Sequence, residues 1–225
     1  MIYITGDLHG DISRFKQTDL KKLKAGDTLI VCGDFGFDVR PAGAKPTQEQ
    51  KHFKWLTQRP YTILFVSGAH EDHSYLNSLP EQDWKGGRVH RLAGNIYHLC
   101  SGCLFLLDED YYLTIGGGTG EEESLLGSIG DQANDPDLFE RVKAAAASRR
   151  NVVDYIISHE CPTMIRSCLT GRTELHASPT TPVLDWAINE CLYKKWFSGA
   201  LHIDKHIHPA YYSLYRNVLP VRSGK

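Results

Sequence analysis

The chain has 225 residues, with 25 lysines and arginines against 27 aspartates and glutamates, a net charge of −2 with histidine neutral. Its 41% hydrophobic and 23% charged content is ordinary globular usage and excludes a disordered tail or a collagen-like fibre. The balanced charge supplies no global basic field for nucleic-acid phosphates, so nucleic acid is not indicated as a partner, though it stays open as a substrate.

At ~150 residues per domain, the length predicts one domain over residues 1–225. Such a chain buries roughly 70% of its unfolded surface and needs neither a disulfide nor a metal merely to fold. The first run, Ile2–Thr5, reads as a strand that begins almost at the first residue. The start lacks the basic and long apolar stretches of a signal peptide, and no apolar run reaches ~18 residues. Both predict a cytoplasmic protein without a membrane segment. Residues 12–24 read as an amphipathic helix, 28–32 as a strand, 47–58 as a helix and 62–66 as a strand. Residues 40–46, rich in Pro, Ala and Gly, read as a surface loop.

From residue 88 the pattern changes to short strands at 89–92, 96–100, 103–108 and 111–115, which predict a meander or hairpins. Cys100 and Cys103 form a CxxC pair between two of them. One such pair without a second nearby is a weak zinc signal, and it reads as a tight turn with two half-buried thiols. In a reducing compartment the six cysteines are thiols. Residues 116–131 hold Gly116, Gly117, Gly118 and then Glu121, Glu122 and Glu123. They read either as a backbone approach to a phosphate or as a flexible acidic loop. A helix at 135–148, a strand at 153–158, a polar loop at 167–182, a helix at 182–191 and the strand Lys195–Ser198 follow. Strands at 210–215 and 218–221 predict a terminal hairpin around Arg216 and Asn217.

Alternating strands and helices predict α/β layers, and open α/β sheets bind ligands at the carboxyl ends of their strands. Five strand candidates end in Asp or His there. The first runs into Gly6-Asp7-Leu8-His9-Gly10, the second into Gly33-Asp34 and the third into Gly68-Ala69-His70-Glu71. The strand at 153–158 runs into His159-Glu160, and Lys195–Ser198 into Gly199-Ala200-Leu201-His202. Taken singly, an Asp here is a helix cap and a His an ordinary hydrogen-bonded side chain. Five together point to a divalent metal, for which carboxylate oxygen and imidazole nitrogen are suitable donors.

In order and context these blocks resemble those of the calcineurin-like metallophosphoesterases. The resemblance spans residues 2 to about 203. It implies a four-layer αββα sandwich of two mixed β-sheets flanked by helices. It also implies hydrolysis of phosphate esters, phosphodiester or phosphomonoester, by a metal-activated water. The cofactor it implies is a divalent metal, Mn2+ first, with Fe, Zn or Ni as alternatives, and the partner a small phosphoester.

By this resemblance Asp7, His9, Asp34 and His202 hold a first metal, Asp34 bridges to a second, and His159 belongs to the second. His70 is the catalytic residue that meets phosphate oxygens and protonates the leaving group. The family's Asn in the third block and first His in the fifth are Ala69 and Ala200 here. A methyl group donates nothing to a metal. One tight site is therefore expected, with the second weak or absent, unless Glu71, Asp72, His73, His206 or His208 refills it. His202, Asp204, His206 and His208 alternate at spacing two, which in a strand shares one face. Pro209 directly after them favours a polar loop instead. Glu71 either orients the His70 ring or serves as a helix-start carboxylate. The two alanines keep a second reading open, a non-catalytic phosphoesterase-fold module with a binding or scaffold role.

Overall fold

A computed structural model describes residues 1–16, 19–37, 39–41, 45–119, 135–171 and 178–222. In chain order its elements are β1 (Ile2–Thr5), two 3-10 turns (Ile12–Lys16 and Leu20–Lys22), β2 (Thr28–Val31), α1 (Gln48–Thr57), β3 (Thr62–Phe65), α2 (His73–Ser78), β4 (Glu81–Trp84), β5 (Gly87–Ala93) and β6 (Ile96–Leu99). Then follow β7 (Cys103–Leu107), β8 (Asp110–Ile115), α3 (Leu138–Ala147), β9 (Tyr155–Ser158), α4 (Thr163–Thr170), α5 (Thr181–Glu190), β10 (Lys195–Ser198), β11 (Lys205–Ile207), β12 (Tyr211–Ser213) and β13 (Val218–Pro220).

Among the described residues one sheet has the order β13-β1-β2-β3-β6-β5-β4 and the other β11-β12-β10-β9-β8-β7. Both are mixed. β1, β2, β3 and β6 are parallel in the first, with antiparallel strands at its edges. β8, β9, β10 and β12 are parallel in the second, again with antiparallel edges.

The period-two alternation of strand side chains separates three cores. Ile4, Ile30 and Leu64 of the first sheet meet Phe105, Tyr112, Ile157 and Phe197 of the second. The opposite face of the first sheet, with Leu29, Val31, Ile63 and Phe65, packs on Phe15, Phe53, Leu56 and Leu76 from the 3-10 turns, α1 and α2. The outer face of the second, with Leu113, Ile156 and Trp196, packs on Val142, Ile165, Leu184 and Ala187 from α3, α4 and α5. Three cores between four layers are the αββα sandwich expected above.

Most predicted strands end within a residue or two of the observed ones, which is ordinary fraying. Four readings are corrected. The stretch 12–24 is not one helix: Arg14 and Phe15 are neighbours and both are buried, which suits short 3-10 turns better than one amphipathic stripe. The meander is split between sheets. β5 and β6 stay in the first, whereas β7 and β8 belong to the second, and the chain crosses at Ser101 and Gly102. The terminal hairpin does not form either. β12 pairs with β10 and β11, while β13 crosses to pair with β1. The turn between them is held by Asp204, whose carboxylate accepts from the backbone N–H groups of Tyr215, Arg216 and Asn217.

The polar loop read at 167–182 is partly helix, since α4 runs to Thr170 and α5 starts at Thr181; residues 172–177 lie outside the described ones. Part of the 40–46 loop, and Glu121, Glu122 and Glu123, also lie outside them. Gly117, read as a possible phosphate contact, spends its N–H on the Ser67 carbonyl at 2.7 Å. The elements missed by sequence are short or polar: α2 is capped by Asp72, and β4 is a polar edge strand of four residues. No helix among the described residues is long and apolar enough to cross a membrane.

Candidate metal centre

The carboxyl ends of β1, β2, β3, β9 and β10 meet at one edge of the sandwich, because both sheets are parallel in their central strands. Asp7, Asp34 and His159 are 1%, 3% and 3% exposed, while His9, His70 and His202 reach solvent. The turns that carry them are tight. His9, Asp34 and His202 adopt φ of 45°, 41° and 52°, left-handed values that Asp and His tolerate better than branched residues.

Two of the glycines in these turns make room for side chains from neighbouring strands. A Cβ on Gly68 would lie 2.3 Å from Asp34 Oδ1, and one on Gly199 would lie 2.0 Å from Asp7 Oδ1. The Gly-Ala pairs at both places therefore let a carboxylate approach the backbone. The Ala200 N–H uses that approach and donates to Asp7 at 3.0 Å.

Asp7, His9 and His202 each bring a donor atom within 4.8 Å of the other two, and Asp34 faces His9. His9 Nε2 lies 2.9 Å from His202 Nε2 and 3.7 Å from Asp34 Oδ2. Asp7 Oδ2 lies 3.1 Å from His202 Nε2 and 4.0 Å from His9 Nε2. Two ring nitrogens and a carboxylate oxygen meeting there, with the Asp34 carboxylate beside His9, fit a divalent transition metal. On the other side, buried His159 has donor atoms of both Asp7 and Asp34 within 4.8 Å. His159 Nε2 is 3.7 Å from Asp34 Oδ2, while Ala69 and Ala200 line the same cavity with methyl groups.

None of the proposed replacements lines that cavity. Asp72 caps α2 by accepting from the Tyr75 N–H. His73 bonds the Gly68 carbonyl through Nε2. His206 stacks on Tyr212 with ring centroids 4.2 Å apart, and against His208. Asp204 holds the turn described above. The alternating run 202–208 therefore does not form one ligating face.

His70 sits over Asp34. Its backbone N–H donates to Asp34 Oδ1 at 2.9 Å, and its Nδ1 lies 2.8 Å from Asp34 Oδ2. Asp34, not Glu71, therefore orients the ring. Glu71 turns inward instead, where Oε1 accepts from the Phe35 N–H and Oε2 from the Gly68 N–H. Nor is it the helix cap, since that place belongs to Asp72. It thus ties the second and third ligand turns together.

The charges are strongly coupled. Burial by itself would lift the carboxyl groups of Asp7 and Asp34. His159, with His202 at Asp7 and His70 at Asp34, outweighs it and holds both below the ordinary carboxylate range. Burial pulls the His159 imidazole down, but Asp7 and Asp34 together raise it to about 10. Burial, reinforced by Asp34, pushes Glu71 up to about 7 against the pull of its N–H donors.

The centre opens into a cavity of about 660 Å3, which Glu160, Arg166, Leu169 and Thr170 also line. Three supporting residues were missed by sequence. Glu71 was assigned other roles, and Glu160 follows His159 but accepts from the Thr119 N–H and the Thr180 hydroxyl. Arg14 was hidden in a polar stretch, yet it is buried and donates to the Asp7 carbonyl at 2.6 Å and to Thr5 Oγ1 at 2.9 Å. Glu71 after His70 and Glu160 after His159 had a signal in their sequence positions, whereas Arg14 had none.

Glu71→Gln is expected to destabilise the fold. An amide oxygen can serve one of the two N–H donors, but its NH2 group faces the other and leaves a buried donor unpaired. The expected cost is about 1–3 kcal/mol, read as a lower urea midpoint. An unchanged midpoint would show that the carboxylate does not tie the turns together.

No family model matches the chain. Lariat debranching enzyme A from Xenopus laevis is 29% identical over 113 residues, which are 44% of this chain and 20% of that enzyme. The match thus spans about a fifth of the relative's length. Among solved structures, a phosphopantetheinyl hydrolase from Mycobacterium tuberculosis is similar over 95% of this chain and 87% of its own, at 16% identity and a TM-score of 0.41.

Proposed function

We propose that the chain is a metal-dependent hydrolase of phosphate esters whose second metal site is impaired. The observation that carries this reading is the meeting of Asp7, His9 and His202, with Asp34 facing His9, beside a half-exposed His70 at an open cavity. The partial similarity to a debranching enzyme supports the same reaction class. Asp7, His9, Asp34 and His202 would hold the first ion, with Mn2+ the preferred candidate. Among the described residues Asp34 and His159, with Asp7 beside them, would be left to hold a second. When bound, a divalent ion supplies a Lewis acid that lowers the pKa of water and neutralises charge on phosphate oxygens.

The protein's own groups do the rest. Asp7 and Asp34 stay ionised and keep the pocket anionic until a cation enters. Arg166 lines the cavity and gives it a fixed positive charge for the substrate. His70 is pinned through Nδ1 by Asp34, so its Nε2 is the atom assigned to protonate the leaving oxygen as the P–O bond breaks. An imidazole suits that task because its ordinary pKa lies near neutral pH. The test is manganese-dependent hydrolysis of a generic aryl phosphodiester and monoester by the purified chain. Hydrolysis that vanishes on chelation and returns with Mn2+ supports the reading; a rate indifferent to metal overturns it.

His70→Ala separates ligation from proton transfer. Metal content is expected to stay unchanged while the rate falls by about 10²–10⁴-fold, the usual worth of a general acid. Loss of metal in parallel with activity would place His70 among the ligands. Ala69 and Ala200 favour one other reading, a phosphate-binding module without turnover. That reading predicts metal-dependent binding of phosphate to wild-type protein with no hydrolysis.

A further inference from the structure

A second group of ligating side chains lies away from this cavity, on the far strands of the first sheet. His90 on β5 is directly opposite His98 on β6 in the antiparallel ladder. Opposed residues share a face, so the two imidazoles meet there. Their rings stack with centroids 5.3 Å apart, and the two Nδ1 atoms are 3.1 Å apart. Cys100 follows β6 two residues after His98, which returns it to the same side. One donor atom from each of His90, His98 and Cys100 lies within 4.8 Å of the other two.

All three side chains are buried, yet they line a cavity of about 640 Å3 with Glu81, Arg88 and Arg141. None of the residues lining it lines the first cavity. The two Nδ1 atoms face each other across the ladder, and the other ring nitrogen of His98, Nε2, is buried without a partner among the described residues. The Nδ1 separation is close to the roughly 3.3 Å that two nitrogens take around a tetrahedral zinc with ~2.0–2.1 Å bonds.

We propose that His90, His98 and Cys100 form a Zn2+ site whose fourth position opens to the second cavity. Two imidazoles and a thiolate are softer donors than the carboxylates of the first centre, and they select zinc over manganese. Three protein ligands with an open position are also the usual form of a zinc site that binds water or an exchangeable ligand. On binding, the Cys100 thiol loses its proton to solvent and the thiolate sulfur becomes a ligand. The weak CxxC signal thus resolves differently. Cys103 begins β7 in the other sheet, and its place is taken by two histidines from neighbouring strands. This proposal does not rest on the phosphoesterase reading.

The test is cobalt titration of the metal-stripped full chain, followed by optical absorption. One equivalent is expected to give tetrahedral cobalt bands with a thiolate-to-cobalt charge-transfer band, bleached by equimolar Zn2+. The band should persist in Asp34→Asn, which disables the first centre, and disappear in Cys100→Ala and His90→Gln. No thiolate band in the wild type, or a band that survives Cys100→Ala, overturns the proposal. A measurement on the wild type covers the case in which these variants fail to fold. Zn2+ should slow alkylation of Cys100 at least tenfold, mapped by mass spectrometry, while the exposed Cys168 reacts unchanged. Equal Cys100 alkylation with and without Zn2+ would overturn it as well.

Discussion

Asp34→Asn is expected to cost at least 10³-fold in phosphoester hydrolysis, about 4 kcal/mol of transition-state stabilisation. Asp34 does three things at once. Its Oδ2 faces His9 at 3.7 Å and His159 at 3.7 Å, so it is the carboxylate shared by both halves of the centre. The same carboxylate holds the His70 ring and the His70 backbone N–H. Its negative charge, with that of Asp7, also raises the His159 imidazole while no cation is bound. Asn preserves the shape and tolerates the φ of 41° at this turn, so the variant is expected to fold. What it loses is the charge. Manganese affinity should therefore fall by at least about 100-fold, since even groups that merely support a ligand are worth 10–100-fold. The two readouts are hydrolysis rate and bound manganese, with circular dichroism to check the fold. Hydrolysis within tenfold of wild type would remove Asp34 from the centre of the mechanism. If the chain only binds phosphate, the loss of manganese is still expected and the rate comparison is empty.

The layers were legible because burial imposes local patterns. The central strands at Ile2–Thr5, Thr28–Val31 and Thr62–Phe65 are short apolar runs between glycines and polar turns, and their type follows from that alone. Sheet membership does not. Strands β6 and β7 are separated by three residues, yet they lie in different sheets, and nothing local distinguishes that crossover from a hairpin. The same holds for β12 and β13, where Asp204 and a turn near Arg14 decide the route. The candidate ligands were legible because each follows a strand, and parallel strands bring those ends together. Glu71 was not, because its role is to satisfy two backbone donors of a neighbouring turn, a demand visible only in three dimensions. His90 and His98 are eight residues apart on opposing strands, so their contact depends on register rather than on any spacing motif.

Ala69→Asn combined with Ala200→His is expected to complete the second half of the centre. Both positions line the cavity beside Asp34 and His159, where methyl groups now stand. The backbone is prepared for larger, polar side chains. Ala200 has φ of 58°, a left-handed value that alanine bears at a cost and that His and Asn enter more readily. Its N–H already fixes the turn on Asp7, and Gly199 keeps the close approach that the turn requires. Ala69 follows Gly68, whose missing Cβ is what admits the Asp34 carboxylate. Each new side chain is a neutral donor, so no additional charge is buried. The double variant should bind one more manganese than wild type and hydrolyse phosphoesters at least tenfold faster, a gain that needs only about 1.4 kcal/mol. Manganese is the ion to count, because the His90, His98 and Cys100 group prefers a softer metal. Ligands of one ion act as a unit, so each single change should give less than half of the logarithmic gain. A double variant with unchanged manganese content and rate would mean that Ala69 and Ala200 do not stand where ligands belong. A double variant that gains the ion without gaining rate would instead favour a chain built to bind phosphate rather than to cleave it.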